Sequence, residues 1–583
     1  MLVNRIRLLY PSKGVYNKYC GRMLKSSVVK LQTPKTLEIN VSEQPKDSSL
    51  PSRAKSVEKP VITLPTQRVV PMILNKKEPI VLPFDDVPGP KSLKYLSIAR
   101  YYLSQIGTQI TTRLITFGLN VGTYMRNRKS TGNLSVLFDE YGPVVRFVSP
   151  VGRDIVLINH PEHIQKVFTL EGDHPIRSTI ESLEKYRVEH RNHVYSGIFT
   201  VQGQEWFHQR CLVKDPLQTA SAIHAQSIYD LCDRFTQKVY STRNYQDEVS
   251  KDFYKQIHKW AFDCMGLVIF SKKFTMIDTE LVNSQCDMSW MYHNLEKATE
   301  AIIKCESGLR WWKITPTPVW LKLTKHCENL DNLIGKYVLA ANKEIQNNIQ
   351  DIDKSAKFYV VTDPTCLIDA ILLCDNKLTV EDISTIVMDM LLIGVNTIAS
   401  ATSYLLYFVA KHQKAQRQLY EEIEHMYGDL NVDNILAIRE HTPYLQACIR
   451  ETLRLVPPIP LLTRVLPKNI TLDRYNIPQG TLIIMSTQDS SIKDGNYDNA
   501  SHFSPERWLN IGAKDYHAFA SIPFGFGSRS CLGQNIAETM MSLLTIRVLQ
   551  KFKLEYHYGD IPPTRTFISK PSKPIKIRFI DRI

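Results

Sequence analysis

From Leu378 to His412 the chain carries its longest helical signal, and the residues are apolar on nearly every side of that helix. A helix without a polar face must be enclosed around its whole circumference, so this stretch reads as the buried centre of a domain. Its middle is Ile393-Gly394-Val395-Asn396-Thr397. Glycine inside a helix costs about 1 kcal/mol relative to alanine, which is reasonable where the helix has to bulge around a ligand. Thr397 places a hydroxyl beside that point. Taken alone, a glycine for tight packing and a threonine bonded back to its own helix explain the pair better.

A second stretch carries more chemistry. Residues Pro523 to Gly533 read Pro-Phe-Gly-Phe-Gly-Ser-Arg-Ser-Cys-Leu-Gly and lead straight into a helical run from Gln534. A free thiol titrates at about pH 8.5, and it becomes a ligand where positive potential favours the anion, as at a helix N-terminus. Cys531 sits at such a mouth. Gly525, Gly527 and Gly533 allow positive φ and a close approach of backbone to a flat partner. Arg529 is suited to bidentate pairing with a carboxylate. The combination points to a thiolate under a planar, carboxylate-bearing ligand, and haem is that ligand. A small-residue turn with an incidental buried cysteine is the plain alternative, and the fixed spacing of Phe, Gly, Arg, Cys and Gly argues against it.

Phe524, Gly527, Arg529, Cys531 and Gly533 match every defined position of Phe-x-x-Gly-x-Arg-x-Cys-x-Gly. That is the cysteine-ligand motif of the cytochrome P-450 superfamily, which the chain resembles over about residues 84 to 583. The resemblance implies one large haem-binding domain, mainly α with small β-sheets, in spite of a length that alone suggests several domains. It implies haem b, with Cys531 as the axial ligand of the iron and Arg529 on a propionate. Trp206 and Arg210, four apart on one helical face, match a Trp-x-x-x-Arg pair that donates to a haem propionate. Arg464 stands where family members often hold the other propionate. Glu451, Arg454 and Arg507 match a structural triad that locks the loop before the cysteine. Gly394 and Thr397 match the oxygen-activating part of the central helix, where family members usually have Ala or Gly, Gly, x, Asp or Glu, Thr. Here Ile393 replaces the first residue and Asn396 the acid. Asparagine orients a water but does not ionise, so either a water chain replaces the carboxyl or coupling of oxygen to product is poor.

The first 37 residues contain eight basic residues, from Arg5 to Lys35, and no acid. They hold eight of the formal +14 charges, leaving +6 for the rest. This composition reads as a mitochondrial transit peptide, with a disordered basic tail as the alternative. Residues 38 to 83, rich in Pro, Ser, Lys and Glu, read as a linker. The catalytic domain is expected over 84–583, opening at Phe84-Asp-Asp-Val-Pro-Gly-Pro90. From there to Arg128 the apolar spacing is helical, giving a core-facing helix or a face that rests on a membrane. The N-terminus holds no apolar run of membrane-spanning length. Eleven cysteines without a CxxC pair fit reduced thiols better than a zinc site or disulfide framework. No basic, aromatic-interleaved stripe favours nucleic acid.

Val144–Val148 and Asp154–Ile158 read as a hairpin, Pro161 starts a helix, and Tyr444–Val456 is amphipathic. Several amphipathic helices between Glu248 and Gln350 hold no chemical motif. The tail, at Phe552-Lys-Leu-Glu-Tyr-His-Tyr and Pro574-Ile-Lys-Ile-Arg-Phe, reads as closing strands.

Thiolate ligation favours O–O cleavage of dioxygen, so the resemblance implies a monooxygenase of an apolar substrate. The transit-like start and Pro-Gly-Pro opening are similar to the mitochondrial clan, peripheral on the matrix side of the inner membrane. That clan is served by a [2Fe–2S] ferredoxin and its NADPH-dependent reductase. Arg450 matches one of the two basic residues that meet the ferredoxin, while Gln446 replaces the other. Gln534 and Asn535 stand where two further basic residues are common, with Lys411, Lys414 and Arg417 as compensating charges. Tyr186-Arg187 through Arg191-Asn-His-Val-Tyr195 resembles arthropod ecdysteroid-synthesising members, which suggests a sterol or ecdysteroid-like substrate. A peroxide-rearranging haem-thiolate enzyme, a microsomal-type oxygenase and a non-catalytic haem-binding sensor are the alternatives.

Overall fold

Thr379 opens the central helix. Its hydroxyl accepts from the Asp382 N–H at 3.2 Å, and the Asp382 carboxylate accepts from the Thr379 N–H at 3.0 Å, a reciprocal cap. The helix is α-helical over Val380–Asp389, π-helical over Met390–Val395 and α-helical again over Asn396–Lys411. The bulge expected at Gly394 is this wider turn. The helix is long and apolar enough to cross a membrane, yet 89% of its most apolar stretch is buried within the fold.

The computed structural model describes residues 81–90, 133–148, 154–193, 196–249, 252–279, 286–307, 310–355, 365–374, 378–426, 438–509, 516–564 and 566–582. The transit peptide read at 1–37, nearly all of the linker read at 38–83 and the helical face read after Pro90, as far as Arg128, lie outside them. Every described residue belongs to one compact unit, Lys77–Ile583. Leu82 is already part of it, donating to the Arg474 carbonyl at 2.7 Å and accepting from the Asn476 N–H at 3.0 Å.

The longer helices that follow Leu82 and flank the central helix in sequence are α1 (Pro161–Leu170), α2 (Gly203–Ile223), α3 (Ala225–Thr242), α4 (Phe253–Phe270), α5 (Asp287–Ser307), α6 (Pro318–Ser355), α7 (Gln413–Met426), α8 (Pro443–Leu455) and α9 (Gln534–Lys551). The central helix touches α4, α5, α6, α8 and α9, which explains how so apolar a helix is accommodated. Helix α4 departs from the amphipathic reading. From Trp260 to Phe270 every residue is buried, because α4 is itself sandwiched between α3 and the central helix. The carboxylate of Asp263 within it accepts from the N–H groups of Met276 and Ile277, each at 2.9 Å.

Strands β1 (Val144–Phe147), β2 (Ile155–Ile158), β3 (Leu461–Val465), β4 (Ile470–Leu472), β5 (Tyr475–Ile477) and β6 (Leu482–Ser486) stand to one side, and β7 (Phe552–Glu555) pairs with β8 (Arg578–Asp581). The largest sheet has the order β1-β2-β6-β3. Strands β1 and β2 form the expected hairpin, with Val144 opposite Ile158, while β2 runs parallel to β6 and β3 antiparallel to it. Strands β7 and β8 are the closing pair, with Phe552 opposite Asp581; the second begins at Arg578, so that of the stretch read at Pro574–Phe579 only the last two residues are in the strand. Pro161 is the first residue of α1, where its missing N–H leaves no bond unmade.

Candidate active site

The Cys531 loop is shaped by two glycines. Gly525 and Gly527 have φ of 72° and 73°, the left-handed region that side chains resist. Gly533 differs from the expectation: its φ is −94°, and an added Cβ would stand 3.3 Å from the Ile536 side chain, so space and not φ selects glycine there. The Cys531 N–H donates to the Phe524 carbonyl at 2.9 Å, folding the loop back on itself just before α9. Protein surrounds Cys531 closely, yet the residue keeps accessible surface, the condition of a side chain that lines an internal space. Burial pushes its thiol up; the Gly533 backbone N–H and the Arg210 guanidinium act in the opposite direction.

Four guanidiniums meet beside this loop. Arg529 donates to the carbonyl of Pro175 at 2.9 Å and to Gln202 Oε1 at 2.8 Å, lies 3.8 Å over the Trp206 ring, and leaves its Nη1 buried without a partner. Arg464 donates to Glu171 Oε2 at 2.5 Å. Arg210 donates to the Ser530 carbonyl at 2.8 Å, and Arg177 lies near Arg464 and Arg529. Burial, together with Arg177, Arg464 and Arg210, pushes Arg529 down to about 8. Glu171 is the carboxylate that faces this group, and burial raises it in spite of Arg464. A cluster of cations with one buried donor free and one carboxylate opposite fits a ligand that brings carboxylates of its own.

The central helix is closed along its middle but for two residues. Between Asp382 and Tyr407 every residue is buried except Gly394 and Thr397, which are three apart on one face. The Thr397 hydroxyl donates to the carbonyls of Ile393 at 2.9 Å and Gly394 at 3.1 Å. Asn396, read from the sequence as an amide that orients a water, makes its contacts here with protein groups. It is 1% exposed, and its Nδ2 donates to the Leu392 carbonyl at 2.8 Å and to Thr299 Oγ1 at 3.1 Å. At the end of the π-turn its backbone N–H turns to Ile393 instead, and the amide takes Leu392 in its place. Its Oδ1 faces His258 Nε2 at 3.4 Å, and His258 Nδ1 lies 3.1 Å from the Tyr292 hydroxyl. No pattern in the sequence pointed to His258, Glu171, Arg177 or Gln202, because each acts through a contact remote in the chain.

Glu451, Arg454 and Arg507 come together. Arg454 donates through Nε and Nη2 to the two Glu451 oxygens at 2.8 and 2.7 Å, and both side chains are fully buried. Arg507 Nε and the Ser504 N–H reach Glu451 Oε1 at 3.0 Å, and Trp508 Nε1 reaches Oε2 at 3.0 Å. Arg454 also donates to the carbonyls of Ser491 and Ala500 at 2.7 Å. Arg450 lies on the outer face of α8 with its guanidinium 3.9 Å over Trp508. Gln446 is turned inward to Ser542 Oγ at 3.1 Å. Lys411 is paired with Asp560, whereas Lys414 and Arg417 are exposed.

A cysteine that keeps accessible surface within the fold, cations gathered beside its loop and a central helix widened by a π-turn are the features a haem-thiolate protein needs. The comparisons are more specific: the family model described as Cytochrome P450 matches residues 110–579, and the chain belongs to that family. It is a cytochrome P450 monooxygenase, and the family binds haem b through a cysteine thiolate. It is 25% identical to "Probable cytochrome P450 301a1, mitochondrial" of Drosophila melanogaster, over 85% of this chain and 87% of that protein. Identity is 28% to "Cytochrome P450 CYP12A2" of Musca domestica, over 82% and 91%. It is 26% to "1,25-dihydroxyvitamin D(3) 24-hydroxylase, mitochondrial" of Rattus norvegicus, over 75% and 83%. The solved structure of retinoic acid bound cyanobacterial CYP120A1 shares the fold, with a TM-score of 0.63, 18% identity, and coverage of 79% of this chain and 96% of that one.

Two outcomes are expected from this geometry. Glu451→Gln leaves the buried Arg454 charge uncompensated and should cost about 3–5 kcal/mol, read as a lower urea midpoint. Asn396→Asp sets a carboxylate against His258, whose pKa burial and Lys570 lower to about 3. In the wild type this lowered pKa removes stability as pH falls from 6.5, where the unfolded histidine titrates, toward about 3. The aspartate should raise the His258 pKa, shown by NMR titration of labelled histidine, and an unshifted resonance would refute the contact.

Proposed function

We propose that the chain hydroxylates a lipophilic, sterol or ecdysteroid-like substrate in mitochondria, with electrons from a [2Fe–2S] ferredoxin. The observation that carries the reading is the Cys531 loop, whose thiol keeps accessible surface beside a cluster of arginines with a free buried donor; Gly394 and Thr397 are the partly exposed residues along the buried part of the central helix. Haem b, when bound, supplies oxygen activation on a thiolate-ligated iron. Cys531 would hold its iron. Phe524, Gly527 and Gly533 shape the loop beneath it, while Arg529, Arg210, Arg464 and Trp206 would hold its carboxylate edge. Glu451, Arg454 and Arg507 fix the approach to that loop. Thr397 directs its hydroxyl proton to its own helix carbonyls at rest and is placed to turn it to a ligand at Gly394. Apolar residues around both exclude water and accept an apolar substrate.

A sterol-type substrate is supported by a relative named as a vitamin D 24-hydroxylase, and the compartment by relatives named mitochondrial. Arg450, exposed on α8, is the cation we assign to ferredoxin docking, with Lys414 and Arg417 nearby in sequence to the end of the central helix. Peripheral contact with the inner membrane on the matrix side is supported by Trp311, Ile314 and Leu321, exposed large apolar side chains with exposed Lys313, Lys322 and Lys325 among them. Apolar groups bordered by lysines suit an anionic lipid surface. Peroxide rearrangement without outside electrons is the second reading, favoured by Asn396, whose amide is spent on Leu392, Thr299 and His258.

The deciding assay supplies a sterol and ecdysteroid panel with ferredoxin plus its reductase, with microsomal reductase, and with neither. A hydroxylated product only with ferredoxin is expected, and Arg450→Glu should slow that reduction by about tenfold. Turnover of a hydroperoxide with no reductant would establish the second reading instead. Replacing Trp311 and Leu321 together by Glu should weaken flotation with anionic vesicles by about tenfold, and unchanged flotation would remove this face from the membrane.

A further inference from the structure

The segment around Tyr186 and Arg187 is fastened to the interior at several points. Arg187 and Asp389 are both fully buried and pair at 2.8 Å, Asp389 being the last residue before the π-turn of the central helix. Arg187 also donates to the carbonyls of Ser196 at 2.5 Å and Thr385 at 3.3 Å. The other Asp389 oxygen accepts from the Phe199 N–H at 2.9 Å. Tyr186 donates to the buried Asp331 of α6 at 2.6 Å. Gly197 lies between the partners with φ of 90°, and a Cβ there would collide with Arg187 Nη1 and stand 2.7 Å from Asp389 Oδ2.

From this anchor the stretch Ser196–Gln202 runs directly to the guanidinium cluster. The Phe199 carbonyl accepts from Arg177, the Val201 carbonyl from Arg529, and Gln202 Oε1 from both Arg529 and the Arg177 N–H. One end is thus held by the central helix and the other by the arginine of the cysteine motif.

We propose that Asp389 is a positioning residue that, through Arg187 and the Phe199 N–H, holds Ser196–Gln202 as a fixed wall between the central helix and the cofactor edge. The substrate then meets a wall formed in advance. The proposal rests on the reading of that space as the seat of cofactor and substrate. Moving the wall would separate a buried ion pair and strand its backbone partners, which the interior disfavours. The pair holds this stretch at Ser196 and Phe199, and the stretch in turn reaches Arg529 at Val201 and Gln202.

The holoenzyme is compared with Asp389→Asn, which removes one charge, and Gly197→Ala, which leaves both charges but displaces them. Hydrogen exchange is read at Ser196–Gln202, and the dissociation constants of imidazole and 4-phenylimidazole are read optically. In either variant that folds, exchange at this stretch should rise by at least about tenfold while α8 and α9 keep their protection. The affinity ratio of the two azoles should shift by about fivefold or more, because the larger probe touches the wall, with imidazole alone little changed. Uniformly faster exchange would reduce the pair to general stability and overturn the proposal, as would unchanged exchange at the stretch. Local loosening with an unaltered azole ratio would overturn the wall. Failure of the wild type to bind either azole would instead overturn the reading of the space, with the exchange result still standing.

Discussion

The rest of the fold depends on enclosing one helix that has no face for water. Val380–Lys411 is surrounded by α4, α5, α6, α8 and α9, and four of these neighbours bring part of the site with them. Helix α8 carries Glu451 and Arg454, α9 follows the Cys531 loop, and α4 and α5 bring His258 and Thr299 to Asn396. Burial of apolar surface drives this arrangement. Its one interruption is the π-turn, with Gly394 and Thr397 only partly buried beside it.

Charge inside the domain is handled in two ways. At Glu451 every lone pair finds a donor, so two arginines, a tryptophan and a backbone N–H become a rigid support for the approach to the cysteine. Beside Arg529 the opposite holds, with cations in excess and a buried N–H left free. A satisfied network specifies structure, whereas an unsatisfied one specifies a ligand. Arg187 and Asp389 are a buried ion pair in which Arg187 Nε and Asp389 Oδ1 have no hydrogen-bond partner, and through the Phe199 N–H they hold the stretch that reaches the second kind.

Much of the site was legible because its signals are local. Cys531, Arg529, Gly525 and Gly527 are read from one turn, whose geometry follows from residues adjacent in the chain. The spacing of Glu451 and Arg454 placed both on one face of α8, and Pro161 and the alternation of β1 and β2 announced their elements. Gly533 was misread because a glycine selected for space looks the same in sequence as one selected for φ. Helix α4 was misread because amphipathic spacing does not disclose a second neighbour on the outer side.

By itself the sequence determined the ligand class and the element that had to be central, since a fixed cysteine motif and a helix apolar all round admit few physical solutions. Tertiary structure alone decided what Asn396, Glu171 and Arg187 do. Asn396 was legible as an amide that orients a water, and only the fold brings His258 and Thr299 to it. Glu171 meets Arg464 from 293 positions away, and Arg187 meets the Thr385 carbonyl from 198. A polar side chain takes its role from the partner that desolvates it, and such partners are set by packing rather than by neighbours in the chain.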